Sequence, residues 1–87
     1  MTYEVVFSLE AAAELVRIAG AVRPASAVIQ AAESIRQRLE VDPLEDGHPV
    51  SEGLFYIDEE PLRAFFVIDD AGLWVEIADF RILPPIT

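Results

Sequence analysis

The run Pro61-Leu62-Arg63-Ala64-Phe65-Phe66-Val67-Ile68 limits the fold of this chain more than any other segment. Its aromatic and β-branched members read as a strand. Side chains alternate along a strand, so Leu62, Ala64, Phe66 and Ile68 share one face while Phe65 and Val67 share the other. A strand that is apolar on both faces needs cover on both. Leu54 to Ile57 reads as a strand before it. Asp69-Asp70-Ala71-Gly72 reads as a hairpin turn into a further strand, Leu73 to Phe80.

The N-terminal half is helical after one short strand. Tyr3, Val5 and Phe7 alternate with Glu4 and Val6, giving a strand with one more apolar face. Ser8 caps a helix of strong helix formers that stops at Gly20, and Leu9, Ala12, Leu15 or Val16, and Ala19 are its expected buried stripe. Pro24 can sit in the first turn of a second helix, whose apolar stripe is Val28, Ala31, Ala32, Ile35 and Leu39. Glu33, Arg36, Gln37, Arg38 and Glu40 form its solvated face, with Arg36 and Glu40 spaced as an i,i+4 pair. The stretch 42–49 is turn chemistry throughout, and Pro84-Pro85 forbids a closing helix. The expectation is one α+β domain over residues 1–87. Its order is β-α-α-β-β-β, with a helical hairpin on one face of a mostly antiparallel four-stranded sheet.

A helical hairpin covers only one face of such a sheet. Phe65, Val67 and Trp74 are then left as an apolar patch, which either a partner or the C-terminal tail from Ile82 to Ile86 must cover. The partner reading is preferred, and a homodimer is the expected assembly where no other protein is present.

Charge narrows the partner. Sixteen Asp and Glu oppose six Arg and no Lys in 87 residues, a formal net charge of -10. Such a field repels phosphate backbones, so free nucleic acid is a poor partner. Arginine forks can still grip a carboxylate or phosphate bidentately. The chain has no cysteine and one histidine. The usual zinc patterns are thereby excluded, and the acidic groups 42–46 and 69–70 lack calcium-loop spacing. No phosphate-cradling glycine loop or nucleophile elbow is present, and no cofactor is expected. No signal peptide or apolar span is readable, so a cytoplasmic location is expected.

The capped Ala-rich helix, the second helix ending in Asp42-Pro43, the Gly47-His48-Pro49 loop and Leu62-Arg63-Ala64-Phe65-Phe66-Val67-Ile68-Asp69 together resemble the RelE/ParE toxin superfamily. These are small bacterial toxins held inactive by an antitoxin, some cutting mRNA in the ribosome and others inhibiting DNA gyrase. The resemblance covers nearly the whole chain. It implies a toxin or toxin-like component of a type II toxin–antitoxin module of the plasmid-stabilisation kind, acting through protein binding or ribosome-dependent cleavage. The alternative is an interaction module that kept the fold without the activity.

By the same resemblance Arg63 matches the arginine that contacts the scissile phosphate in the nuclease members. Arg81 falls where they place a terminal cationic residue. Val50, Ile82 and the segment Leu54-Phe55-Tyr56 depart from the pattern, standing where a glutamate, an aromatic hydroxyl and basic residues are expected. Cleavage through a 2′-hydroxyl needs a base and an acid besides charge stabilisation, and an arginine is neither. His48 belongs to the one residue type that titrates near neutrality, with Glu52 or Tyr56 as assistants. The competing reading for Arg63 is structural, an ion pair with Asp58, Glu59 or Glu60.

Overall fold

In the computed structural model, which describes residues 2–83, Ser8 joins the first strand, the first helix and the last strand. Its hydroxyl oxygen accepts from the Ala11 amide at 3.0 Å and donates to the Ala78 carbonyl at 3.0 Å. Its own amide donates to the Ile77 carbonyl at 2.9 Å. Strand β1 (Glu4–Phe7) therefore enters helix α1 (Leu9–Ala21) at a fixed rotation. Helix α2 (Ala25–Val41) follows, with Pro24 at its N-cap, and a single turn α3 (Pro43–Asp46) is capped by Asp42, which accepts from the Glu45 amide at 3.1 Å. The chain then runs through β2 (His48–Ser51), β3 (Leu54–Glu59), β4 (Leu62–Asp69) and β5 (Trp74–Ile82).

The architecture is α+β with a helical hairpin, as expected, but the sheet has five strands and is mixed. Its order is β1-β5-β4-β3-β2. β1 pairs parallel with β5, which the long helical crossover allows, and the other pairings are antiparallel. The stretch 42–49 is not turn throughout: it holds α3 and the start of β2. Pro49 has no amide to donate, so β2 stands at the sheet edge, where that loss is tolerated.

The helices lie over one sheet face. Leu62, Ala64 and Phe66 of β4 are buried there with Ile57, Val75, Ile77 and Phe80. α2 contributes the stripe its periodicity predicts: Val28, Ala31, Ala32, Ile35 and Leu39 are all buried. α1 departs from expectation, since Ala11 and Ile18 are its buried residues while Leu9 is 86% and Val16 74% exposed. Alanines on several sides blur the helical period there, and the Ser8 bonds decide which side faces the sheet.

β5 carries a bulge. Phe66 pairs with Ile77 but Phe65 pairs with Asp79, leaving Ala78 as the extra residue. Simple alternation would put Ile77 and Phe80 on opposite faces, and the bulge turns both into the core. The expected strand end at Phe80 is also too early. Ile82 pairs with Leu62, and the Leu83 amide bonds the Pro61 carbonyl at 2.9 Å. The remainder of the tail and Pro84-Pro85 lie outside the described residues.

Two substitutions test this packing. A Cβ on Gly47 would lie 2.6 Å from Phe66 Cζ and 2.7 Å from the Pro43 carbonyl oxygen. Gly47→Ala is expected to lower stability by about 1–3 kcal/mol in urea denaturation, because the ring cannot retreat from a full core. The Tyr3 hydroxyl donates to Asp70 at 2.9 Å, and this bond raises the phenol pKa. A raised folded-state pKa adds stability below the unfolded phenol value of about 10 and loses it as pH rises further. Thermal melts from neutral to alkaline pH should lose that alkaline component in Tyr3→Phe.

Candidate functional site

The sheet face without helices gathers the side chains the sequence marks as functional. Paired residues point the same way, so the register aligns them: His48 opposite Tyr56, Tyr56 opposite Phe65, and Phe65 opposite Asp79. Arg63 stands between Asp58 and Arg81, Val67 faces Glu76, and Trp74 faces Asp69. The β5 bulge brings Arg81 to the same face as Arg63 while Phe80 goes into the core.

Arg63 is held. Its Nε donates to Asp58 Oδ1 at 2.7 Å and its Nη2 to Asp58 Oδ2 at 3.0 Å, a bidentate pair across the β3–β4 hairpin. Its guanidinium carbon lies 4.2 Å from the Tyr56 ring centroid. His48 stacks on Tyr56 with centroids 5.0 Å apart, and Phe65 tilts against it at 6.4 Å. His48, Tyr56 and Arg63 thus form one continuous stack. The hydrogen bond that Arg63 donates to Asp58 raises the Arg63 pKa, with burial opposing it. Of the three acidic residues expected to compete for Arg63, Asp58 holds it. Glu59 pairs instead with Arg38 of α2 at 3.0 Å, and the same arginine donates to the Asp58 carbonyl at 3.1 Å.

Arg81 is engaged more loosely. Its Nε donates to Asp79 Oδ2 at 2.9 Å, which raises its pKa, and the side chain stays 69% exposed. Asp79 is itself positioned by its other oxygen, which accepts from the Phe80 amide at 2.9 Å. A shallow groove of about 460 Å³ opens beside this pair, lined by Leu54, Phe65, Ala78, Asp79 and Arg81. Trp74 lies at the far end of the face, 36% exposed, with its indole against Gly72: a Cβ there would fall 2.6 Å from its Cδ1.

Both cations of this face are therefore answered by carboxylates of the same sheet. Glu4, Asp69 and Glu76 add to them at registered positions. Among the described residues the face presents no pair of cations without carboxylate partners. Among the described residues no group of three or more His, Cys, Asp or Glu is gathered as a metal ion would require. No helix among them is long and apolar enough to cross a membrane. Asp79 was not legible as an arginine partner, although its i,i+2 spacing from Arg81 places both on one side of a strand. Arg38, which pins the β3–β4 turn, was read only as a solvated residue.

No family model and no curated protein matches the chain. Solved structures do. A chain of the toxin–antitoxin complex RelBE2 from Mycobacterium tuberculosis superposes with a TM-score of 0.79 at 24% identity, covering 94% of this chain and 99% of that one. A chain of the chromosomal ParDE toxin–antitoxin system of P. aeruginosa gives 0.64 at 20% identity, covering 94% and 97%. The protein shares the fold of these two toxin–antitoxin chains. On that fold the helix-free face carries Arg63 and Arg81 with their carboxylate partners attached.

If these carboxylates are what keeps phosphate away, Asp58→Ala with Asp79→Ala should bind a short RNA oligonucleotide at low salt on the order of tenfold more tightly than the native chain. Fluorescence anisotropy reads this directly. Unchanged affinity would mean that the arginines are not what the carboxylates restrain.

Proposed function

We propose that the protein is the toxin-type component of a type II toxin–antitoxin module and works by binding protein rather than by cutting RNA. The fold shared with members of two toxin–antitoxin complexes supports the first half of this reading. The second half rests on one observation, the bidentate capture of Arg63 by Asp58. A phosphate could claim that arginine only by displacing a carboxylate already matched to both ends of its fork, on a chain whose net charge repels the phosphate.

The partner is then an antitoxin-type protein in the cytoplasm, and the target is a protein assembly such as gyrase or the ribosome. Absent a partner, a second copy covering Phe65, Val67 and Trp74 is the assembly we favour, formed against the self-repulsion of two acidic chains. A second reading, ribosome-dependent mRNA cleavage, draws on the continuous stack of His48, Tyr56 and Arg63. It requires Asp58 to release Arg63 when RNA arrives.

Induced expression in a bacterial host should slow growth, co-expression of an adjacent small reading frame should relieve it, and Arg63→Ala should leave both effects in place. Unimpeded growth would contradict the toxin assignment. Growth inhibition abolished by Arg63→Ala would favour cleavage over protein binding.

A further inference from the structure

Helix α1 has an apolar face that the described residues leave exposed. Ala11 and Ile18 are buried against the sheet, with Leu15 partly buried beside them. Leu9, Ala13, Val16 and Gly20 recur at i, i+4, i+7 and i+11, which puts them along one line of the helix. That line is opposite the core, and Leu9 and Val16 are 86% and 74% exposed on it. A helix apolar on both sides belongs in an interior, and only one side of α1 has one. Alanine and glycine between the two large residues leave room for another helix to approach closely.

Charge selects what lies there. Glu10 and Arg17 border the line on one side, and Arg17, the only cation of α1, is already bound to Glu14, which lies toward the buried side. With a formal net charge of -10 and no lysine, a second copy would bring like charge to like. We infer that the outer face of α1 is a docking site for a basic amphipathic helix of a partner protein, its apolar side on Leu9 and Val16 and its cations toward the acidic chain. This names the chemistry of the partner that the proposed function calls for, and it rests on that reading.

The test uses the purified full chain and synthetic probes: an amphipathic helix of Leu and Lys, and an otherwise identical helix of Leu and Glu. The Leu/Lys helix should bind about tenfold or more tightly than the Leu/Glu helix, with amide chemical-shift changes centred on residues 9–20. Leu9→Ser with Val16→Ser keeps every charge and touches only exposed positions, and it should weaken that binding by about tenfold. Equal affinity in the native and Leu9→Ser/Val16→Ser chains would overturn the proposal, since attraction to net charge alone would then explain binding. Shift changes centred on Phe65 and Val67 would also overturn it. So would a dimer in light scattering that Leu9→Ser/Val16→Ser dissolves, because a second copy would then be the occupant. These outcomes concern α1 alone, whereas failure of the toxin assignment would appear in the growth assay with the peptide result intact.

Discussion

The alternation of β4 governs this structure, because every other element is placed by where its side chains must go. Leu62, Ala64 and Phe66 have to be covered, and the helical hairpin covers them. Arg63, Phe65 and Val67 are thereby forced to the other side, where no helix of the described chain reaches them. The bulge at Ala78 answers the same demand from β5: it turns Ile77 and Phe80 into one core and leaves Asp79 and Arg81 opposite Phe65 and Arg63. The candidate site is thus the outward half of the strands that build the core.

The electrostatics of that face follow from its neighbours rather than from its arginines. An arginine facing a carboxylate across a hairpin, with good geometry at both ends of the fork, is no longer a free anion site. Arg38 reinforces the arrangement from α2 by holding both the Asp58 carbonyl and Glu59, so the turn that carries Asp58 is itself tied to the helical layer. Surface ion pairs contribute little to stability, and what these pairs decide is that both arginines meet solvent already matched to a carboxylate.

Much of the fold could be read from residue order. The α2 stripe was legible because five apolar residues keep helical spacing and charges fill the opposite side. β4 was legible because it is strongly apolar and ends in turn residues. α1 misled because its alanines fit several phases, and because the phase is set by Ser8 bonding to the Ile77 and Ala78 backbone, a contact between distant parts of the chain. β2 was hidden by Pro49 within what resembled a loop, and the parallel placement of β1 depends on a pairing that no local pattern announces. In the site, the residues themselves were legible by type, but the choice of Asp58 over Glu59 for Arg63 depends on register and on Arg38 taking the other acid.

The central claim is that Arg63 is a captured residue on the helix-free sheet face, and incubation of the purified chain with translating ribosomes tests it most directly. Primer extension on the mRNA should detect no added cleavage for the native chain or for Arg63→Ala. Cleavage by the native chain that disappears in Arg63→Ala would contradict the account, since it would mean that the arginine leaves Asp58 to do chemistry on RNA.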